Sequence, residues 1–136
     1  MNEQIEFNLQ VAVCNYLNAQ YPQVFFISNT ISAIKLTMGQ ATRNKKVQHH
    51  RFKCPDVVVF EKRDLAPYYT GLFLELKKET PFKKDGSIKA SQNDHLKLQY
   101  ESILQLRSKG YHANFYWDFD EIKKTIDWYL CREKRK

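Results

Sequence analysis

The chain is poor in the residues that mark several common classes of protein. Its three cysteines, Cys14, Cys54 and Cys131, lie far apart, and no Cys-x-x-Cys pair is present. This pattern favours neither a disulfide framework nor a cysteine-rich zinc site. The four glycines are too scattered for a phosphate-binding loop. No apolar run approaches the ~20 residues that a membrane span requires.

The same absences bear on the cellular compartment. The first residues are polar and acidic, so the sequence predicts no secretory signal peptide. Cysteines without a disulfide pattern suit a reducing environment. We therefore expect a cytoplasmic protein that has no membrane partner.

Positive charge and aromatic side chains are plentiful. The chain has 22 Lys and Arg against 15 Asp and Glu, a net charge of +7, and 14% aromatic residues. A basic domain with many aromatics favours a polyanion as partner, although charge alone leaves a merely soluble basic protein equally open. At 136 residues the chain is long enough for a core of its own, and we expect a single domain over residues 1–136.

Hydrophobic periodicity and turn residues predict the element order α-β-β-β-α-β-α. Helices are predicted over residues 3–20, over 92–109 with Gly110 as C-cap, and from a cap at Asp118 or Asp120 to about Leu130. Strands are predicted over residues 24–27, 56–60, 71–77 and 111–117. Residues 29–54 are predicted as a long polar loop with some local structure, and residues 78–90 as a mobile charged loop. The order indicates an α/β fold in which helices flank a mixed sheet.

The most informative stretch is residues 71–77, an apolar run that ends in an acid and a base two positions apart. In a strand, Glu75 and Lys77 share one face, and the three intervening and preceding leucines take the other. A carboxylate and an ammonium at the end of a buried run are costly unless they are paired, solvated or bound to a metal. Asp56 adds a second acid at the approach to the preceding strand.

Such a cluster suits the chemistry of phosphodiester hydrolysis. That reaction needs an activated water, in-line positioning and neutralisation of the charge of the transition state, and a divalent metal supplies much of this. Mg²⁺ prefers carboxylate oxygens, so Asp56 and Glu75 are candidate ligands, and the main-chain carbonyl of Leu76 is a candidate third. Lys77 is a candidate to orient or deprotonate the attacking water, or to bind the scissile phosphate. The alternative without catalysis is a surface ion pair between Glu75 and Lys77.

This pattern resembles that of the PD-(D/E)XK nuclease superfamily and, within it, the VRR-NUC family. The resemblance covers nearly the whole chain. It is carried by Cys54-Pro55-Asp56-Val57-Val58, by residues 69–77 (YTGLFLELK), by His95-Leu96 leading to Gln99, by Leu106 and Gly110-Tyr111, and by Phe119-Asp120-Glu121.

The resemblance implies a restriction-endonuclease-like core and DNA cleavage that depends on Mg²⁺ or Mn²⁺. The catalytic residues of the family fall on Asp56, Glu75, Lys77 and Gln99, and the glutamate of its first helix falls on Glu6, with Glu3 as the competing choice. Stand-alone members resemble phage and bacterial proteins that act on branched DNA such as Holliday junctions. Symmetric cutting of two strands calls for a homodimer.

The resemblance leaves the choice of substrate open. Many members have a glycine where this chain has Lys53, and the loop after Lys77 is long and rich in lysine. A nuclease of linear duplex or flap DNA is one alternative. A basic DNA-binding module without catalysis is another, although the intact set of Asp, Glu and Lys argues against it.

Two basic segments flank the predicted site and are candidates for contacts with DNA phosphates. The candidate residues are Arg43, Lys45, Lys46, Arg51, Lys53, Lys78, Lys83, Lys84 and Lys89. His49 and His50 share the first segment, and with Cys54 they lack a fourth zinc ligand, so we predict no zinc there. Phosphate contacts give salt-dependent affinity with little sequence information. The alternative is that both segments are simply solvated loops.

Overall fold

The structure, a computed structural model, describes residues 2–29, 36–89 and 94–132. Within these residues lie four helices and four strands. The helices are α1 (Asn2–Gln20), α2 (Met38–Lys46), α3 (Asp94–Ser108) and α4 (Phe119–Tyr129), and the strands are β1 (Phe25–Ser28), β2 (Val57–Phe60), β3 (Leu72–Leu76) and β4 (His112–Tyr116). Each predicted helix and strand is present, with ends that differ by one or two residues. Residues 92 and 93 of the predicted third helix lie outside the described residues.

Helix α2 lies within the predicted loop over residues 29–54, where some local structure but no helix was predicted. Thr37 is its N-cap: the Thr37 hydroxyl accepts a hydrogen bond from the Gln40 N–H (3.1 Å), and the Gln40 side chain accepts one from the Thr37 N–H (2.9 Å). This reciprocal pair is a capping box. The helix buries none of its residues, so the apolar stripe that reveals most helices in a sequence is missing.

The four strands form one mixed sheet in the order β1-β2-β3-β4. The first two pairs are antiparallel, whereas β3 and β4 are parallel. A tight turn is too short to join two parallel strands, so β3 and β4 need a long crossover connection, and α3 lies within it. The mixed sheet with flanking helices confirms the predicted fold class.

One face of the sheet packs against α1 and α4. Leu72 and Leu74 of β3 are fully buried there, and Leu76 is nearly so. The partners of these leucines in the same cluster include Val13, Leu17, Ile122, Ile126 and Tyr129. This face supplies the larger apolar core.

The opposite face of the sheet packs against α3. Phe73 of β3 and Phe115 of β4 contact the apolar side of α3, which presents Ile103 and Leu106. Because side chains alternate along a strand, Glu75 points to the same face as Phe73. The face therefore changes from aromatic to acidic within two residues of β3.

The predicted loop over residues 78–90 contains a hydrogen-bonded hairpin. Phe82 and Ile88 form an antiparallel bridge, and Gly86 turns the chain with a φ of +88°. Phe82 packs edge-on against the rings of Tyr100 and Phe115. These aromatic contacts attach the hairpin to α3 and β4, whereas its charged composition predicted a mobile loop.

Two helix ends fall at the residues predicted for them. Gly110 has a φ of +93° just after α3, and the Tyr111 N–H donates to the Leu106 carbonyl at 3.1 Å. This is the left-handed ending that favours glycine. Asp118 occupies the N-cap position of α4, although its side chain makes no capping hydrogen bond. None of the helices in the described part of the chain combines the length and the apolar character needed to cross a membrane.

Candidate active site

A pocket of about 230 Å³ opens beside the end of β3. Its walls come from α1, from the segment that leads into β2, and from the first turns of α3. All five of the side chains predicted to be catalytic line it: Glu6, Asp56, Glu75, Lys77 and Gln99. The fold therefore gathers residues that lie as far apart in the sequence as the first helix and the third.

Asp56 and Glu75 are neighbours because β2 and β3 are antiparallel. The Asp56 Oδ2 accepts a hydrogen bond from the Leu76 N–H at 2.8 Å, and the Asp56 carbonyl accepts one from the Asn29 N–H at 2.7 Å. These two bonds fix the acid of the Pro-Asp motif between β1 and β3. The predicted ligand carbonyl of Leu76 belongs to the same residue whose N–H holds the Asp56 carboxylate.

Glu75 is almost completely buried, with 2% of its surface exposed. Burial raises its pKa well above the ordinary value, and a hydrogen bond to Asp56 and the negative charge of Asp56 raise the pKa further. The positive charges of Lys77 and Lys53 oppose this effect only in part. Ionisation of both acids at once is therefore unfavourable in the protein alone, and a bound cation would favour it.

Lys77 is held by a side chain from α3. Its Nζ donates to Gln99 Oε1 at 2.6 Å and lies 5.9 Å from the centroid of the Phe115 ring. Its main-chain N–H donates to the Tyr116 carbonyl at 2.8 Å, which continues the pairing of β3 with β4. Gln99 itself is only 6% exposed. The lysine and the glutamine predicted for the site are therefore hydrogen-bonded to each other.

Glu6 reaches the pocket from α1, one helical turn before Gln10. Gln10 is 7% exposed, and its Nε2 donates to Ser28 Oγ and to the Asn29 carbonyl. These bonds tie α1 to the end of β1 and so bring the Glu6 face of the helix to the site. The side chain of the competing residue, Glu3, lies outside the described residues.

The donor set suits a hard divalent cation. Carboxylate oxygens of the kind that Asp56 and Glu75 offer are the ligands that Mg²⁺ or Mn²⁺ prefers. Within residues 4–29, 36–89 and 94–132, no group of three or more His, Cys, Asp or Glu side chains is placed to hold a metal. Mg²⁺ commonly takes only one or two carboxylates and completes its shell with water and phosphate oxygens, so the set fits that ion.

The cations predicted to bind DNA are distributed unevenly. Lys53 lines the pocket, and Arg51 lines a neighbouring groove of about 790 Å³ beside α3. The remaining candidates are on the surface: Arg43, Lys45 and Lys46 in the last turn of α2, Lys78 after β3, and Lys83, Lys84 and Lys89 in the hairpin. Lys78 also lies 3.9 Å from the Glu79 carboxylate.

Two further residues of the pocket received no role from the sequence. His95 lies one turn before Gln99 on α3, and its Nε2 is 3.2 Å from Gln99 Nε2. The i, i+4 spacing of the two residues was a readable signal that they share a helix face. Cys54 also lines the pocket. Burial raises its pKa, as do the charges of Glu75 and Asp56, which makes its thiol a poor nucleophile.

Comparison with known proteins bears on the fold. No family model matches the chain, and no curated protein matches it. A solved structure described as a "VRR_NUC domain protein" superposes with a TM-score of 0.58 and 19% sequence identity, over 93% of this chain and 88% of that one. This likeness confirms the restriction-endonuclease-like fold that the sequence resemblance implied. The chain therefore shares the fold of a VRR_NUC domain protein.

Proposed function

We propose that this chain is a metal-dependent DNA endonuclease of the VRR-NUC type. The observation that carries the proposal is the buried Glu75 carboxyl beside Asp56, in a pocket that also holds Lys77. A protein gains nothing in stability by burying two acids with too little positive charge around them. Their arrangement has a purpose if a cation and a phosphate complete it. The fold shared with a VRR_NUC domain protein supports the same conclusion.

The residues of the pocket divide the work between them. Asp56, Glu75 and the Leu76 carbonyl would hold Mg²⁺ or Mn²⁺, and the bound ion would lower the pKa of a water and neutralise charge on the phosphate. Lys77, held by Gln99, donates hydrogen bonds to the attacking water or to the scissile phosphate. Glu6 supports the metal site from α1.

Affinity for DNA would come from the basic residues around the pocket. Lys53 lies close enough to Glu75 to lower its pKa, which places a cation beside the proposed position of the scissile phosphate. The exposed cations of α2 and of the hairpin would contact phosphates farther along the strands. Binding of this kind weakens steeply as salt rises.

The finer proposal is a homodimer that cuts branched DNA, as a Holliday-junction resolvase does. Its support is an exposed apolar patch at the edge of the sheet, where β1 has no second strand partner among the described residues. Phe25, Ile27 and Phe60 are 76%, 57% and 55% exposed, and Phe25 lies opposite Phe60 in the register. Exposed apolar patches at sheet edges commonly mark contacts between proteins.

The test is cleavage of end-labelled four-way junctions, flaps and linear duplexes with Mg²⁺, Mn²⁺ or EDTA. We expect metal-dependent cutting that Glu75→Gln and Lys77→Ala each reduce about 100-fold or more, because each removes a group that acts on the reacting phosphate. Glu121→Gln is the matched control, since it makes the same acid-to-amide change at an exposed position of α4. The control variant should cut at the wild-type rate.

The outcomes separate the coarse proposal from the finer one. Paired symmetric cuts in the junction, together with a dimeric mass in solution, support the resolvase. Cutting of flaps or linear duplex alone keeps the nuclease and removes the branched substrate. DNA binding that is indifferent to metal and to Glu75→Gln, with no cutting, would overturn the nuclease and favour a non-catalytic module.

A further inference from the structure

We propose that His95 is a positioning residue: it fixes the orientation of the Gln99 amide and, through that amide, the position of the Lys77 ammonium. This inference rests on the proposed nuclease function for its catalytic consequence. The contact between the two side chains stands on geometry alone. Two contacts join three side chains: His95 contacts Gln99 within α3, and Gln99 contacts Lys77, which follows β3.

The direction of each hydrogen bond follows from the atoms that meet. Lys77 Nζ can only donate, so the atom that it contacts at 2.6 Å must be the oxygen of the Gln99 amide. The amide nitrogen then faces His95 Nε2 at 3.2 Å. An amide nitrogen donates and does not accept. His95 Nε2 must therefore accept, which requires the neutral imidazole with its proton on Nδ1.

A doubly protonated His95 conflicts with these two contacts of the Gln99 amide. A protonated imidazole has an N–H at Nε2 and needs an acceptor there. The Gln99 amide could supply one only by turning its oxygen toward His95, and its nitrogen would then face the Lys77 ammonium. Two donors would meet, and Lys77 would lose the partner that holds it. Neutral His95 is thus the form that keeps Lys77 in place.

The surroundings of His95 favour that neutral form. Partial desolvation in the pocket lowers the pKa of His95, although the residue as a whole is exposed, and the positive charges of Lys53 and Lys77 lower the pKa further. Asp56 alone opposes this among the groups that act on the imidazole, and Glu6 lines the same pocket from α1. The neutral form is therefore favoured at pH 8, which already lies above the ordinary histidine pKa of about 6.5.

Three substitutions at His95 separate the roles of size, charge and acceptor. His95 has an exposed position at the start of α3, so these changes leave the core intact. At pH 8, His95→Gln retains an acceptor and should cut at close to the wild-type rate. His95→Ala lacks the acceptor and should lower kcat about tenfold with little change in KM for DNA. His95→Arg places a permanent donor there and should lose at least as much.

The pH profile gives a readout that a merely structural role would not move. Wild type and His95→Gln share Asp56, Glu75 and every other titrating group of the site. The ratio of their rates therefore reports His95 alone. We expect the wild-type rate divided by the His95→Gln rate to be near one at pH 8. This ratio should fall below one as the pH drops below the ordinary histidine pKa of about 6.5, because only wild type then gains a protonated His95. A constant ratio across this range would overturn the proposal.

A measurement without DNA distinguishes failure of this inference from failure of the nuclease proposal. In ¹⁵N-labelled protein, long-range ¹H–¹⁵N spectra should show the His95 imidazole with its proton on Nδ1 at pH 8. Gln99→Ala removes the donor to Nε2 and should raise the pKa of His95, whereas Gln105→Ala, at an exposed position of the same helix, should leave it unchanged. A proton on Nε2, or a pKa that ignores Gln99, would overturn the positioning role even if the protein cuts DNA.

Discussion

The two faces of the sheet have opposite characters although they share the same strands. The face toward α1 and α4 is aliphatic along the length of β3, with Leu72, Leu74 and Leu76 all buried. The face toward α3 begins in the same apolar way at Phe73 and then places Glu75 at 2% exposure. One strand therefore supplies a packed core on one side and a buried acid on the other.

The contrast shows how a small domain can place the acids of a proposed active site in its interior. Aliphatic side chains on one face stabilise β3 by burial, at about 25 cal/mol for each Å² removed from water. That rigidity keeps Glu75 and Lys77 in position on the other face, where the acid is destabilising without a cation. We therefore expect substitutions on the first face to change stability and those on the second to change activity.

The largest expected effect tests the first half of this comparison. Leu74→Ala removes a fully buried side chain from the aliphatic face and should lower the free energy of unfolding by about 2–5 kcal/mol. Urea denaturation in EDTA measures it. The rate of DNA cleavage for each folded molecule, taken at low temperature, should stay within about twofold of wild type, because β3 still presents Glu75 to the pocket.

Leu104→Ala provides the matched control for that substitution. It makes the same change on α3 at a side chain that is 42% exposed, and should lower stability by under about 1 kcal/mol. If Leu74→Ala instead left stability unchanged and abolished cleavage by the folded protein, the two faces would not be separable in the way proposed.

The second prediction concerns stability on the acidic face. Glu75→Gln removes a carboxyl whose pKa burial raises, and should stabilise the metal-free protein by about 1–2 kcal/mol at pH 8. The folded state binds more protons at Glu75 than the unfolded state does, so wild type loses stability as the pH rises above the ordinary glutamate value of about 4.3. The advantage of the variant should therefore be small near pH 4 and largest at pH 8.

Thermal unfolding of the two proteins in EDTA from pH 4 to pH 8 measures this difference. Added Mg²⁺ should stabilise wild type and leave Glu75→Gln nearly unchanged, because only the carboxylate binds the ion well. Glu121→Gln, at an exposed carboxylate, should show neither effect. If Glu75→Gln is less stable than wild type at pH 8, the contacts of the Glu75 carboxylate stabilise the fold by more than its burial costs.

The sequence was most informative where one local rule decided the structure. Alternation along residues 71–77 predicted which face Glu75 takes, and Gly110 predicted the left-handed end of α3, since each depends on the backbone alone. Helix α2 was missed because it buries nothing, although its Thr37–Gln40 capping box was present to be read. The hairpin was missed because Phe82, a single aromatic in a charged run, finds its partners on distant elements.

The site divides in the same way. The pocket contains Asp56, Glu75 and Lys77, which the residue pattern itself indicated, and Gln99, which the resemblance to a family added. Neither signal assigned a role to His95, because the role proposed for that residue depends on which atom of the Gln99 amide faces it. The orientation of an amide is a property of three-dimensional packing. No spacing in the sequence contains it.

The smallest expected effect extends the comparison of faces to the surface. Lys83 lies in the hairpin that packs beneath α3, and Lys124 lies on α4 beyond the aliphatic face; both are exposed. Lys83→Ala should weaken DNA binding in EDTA a few-fold and reduce the slope of log K against log salt by about 1, as loss of one phosphate contact does. Lys124→Ala should change neither quantity. Titration of a fluorescent junction at several salt concentrations measures both.

This pair of variants separates location from overall charge, because each lowers the net charge of the protein by one. A difference between them cannot come from the net charge, which is the same in both variants. It would mean that the DNA lies along the α3 face, where the acidic pocket opens. Equal weakening by both would mean that the DNA responds to the net charge of +7 rather than to one surface. The acidic face would then contain the chemistry of the site without being the surface that binds the strands.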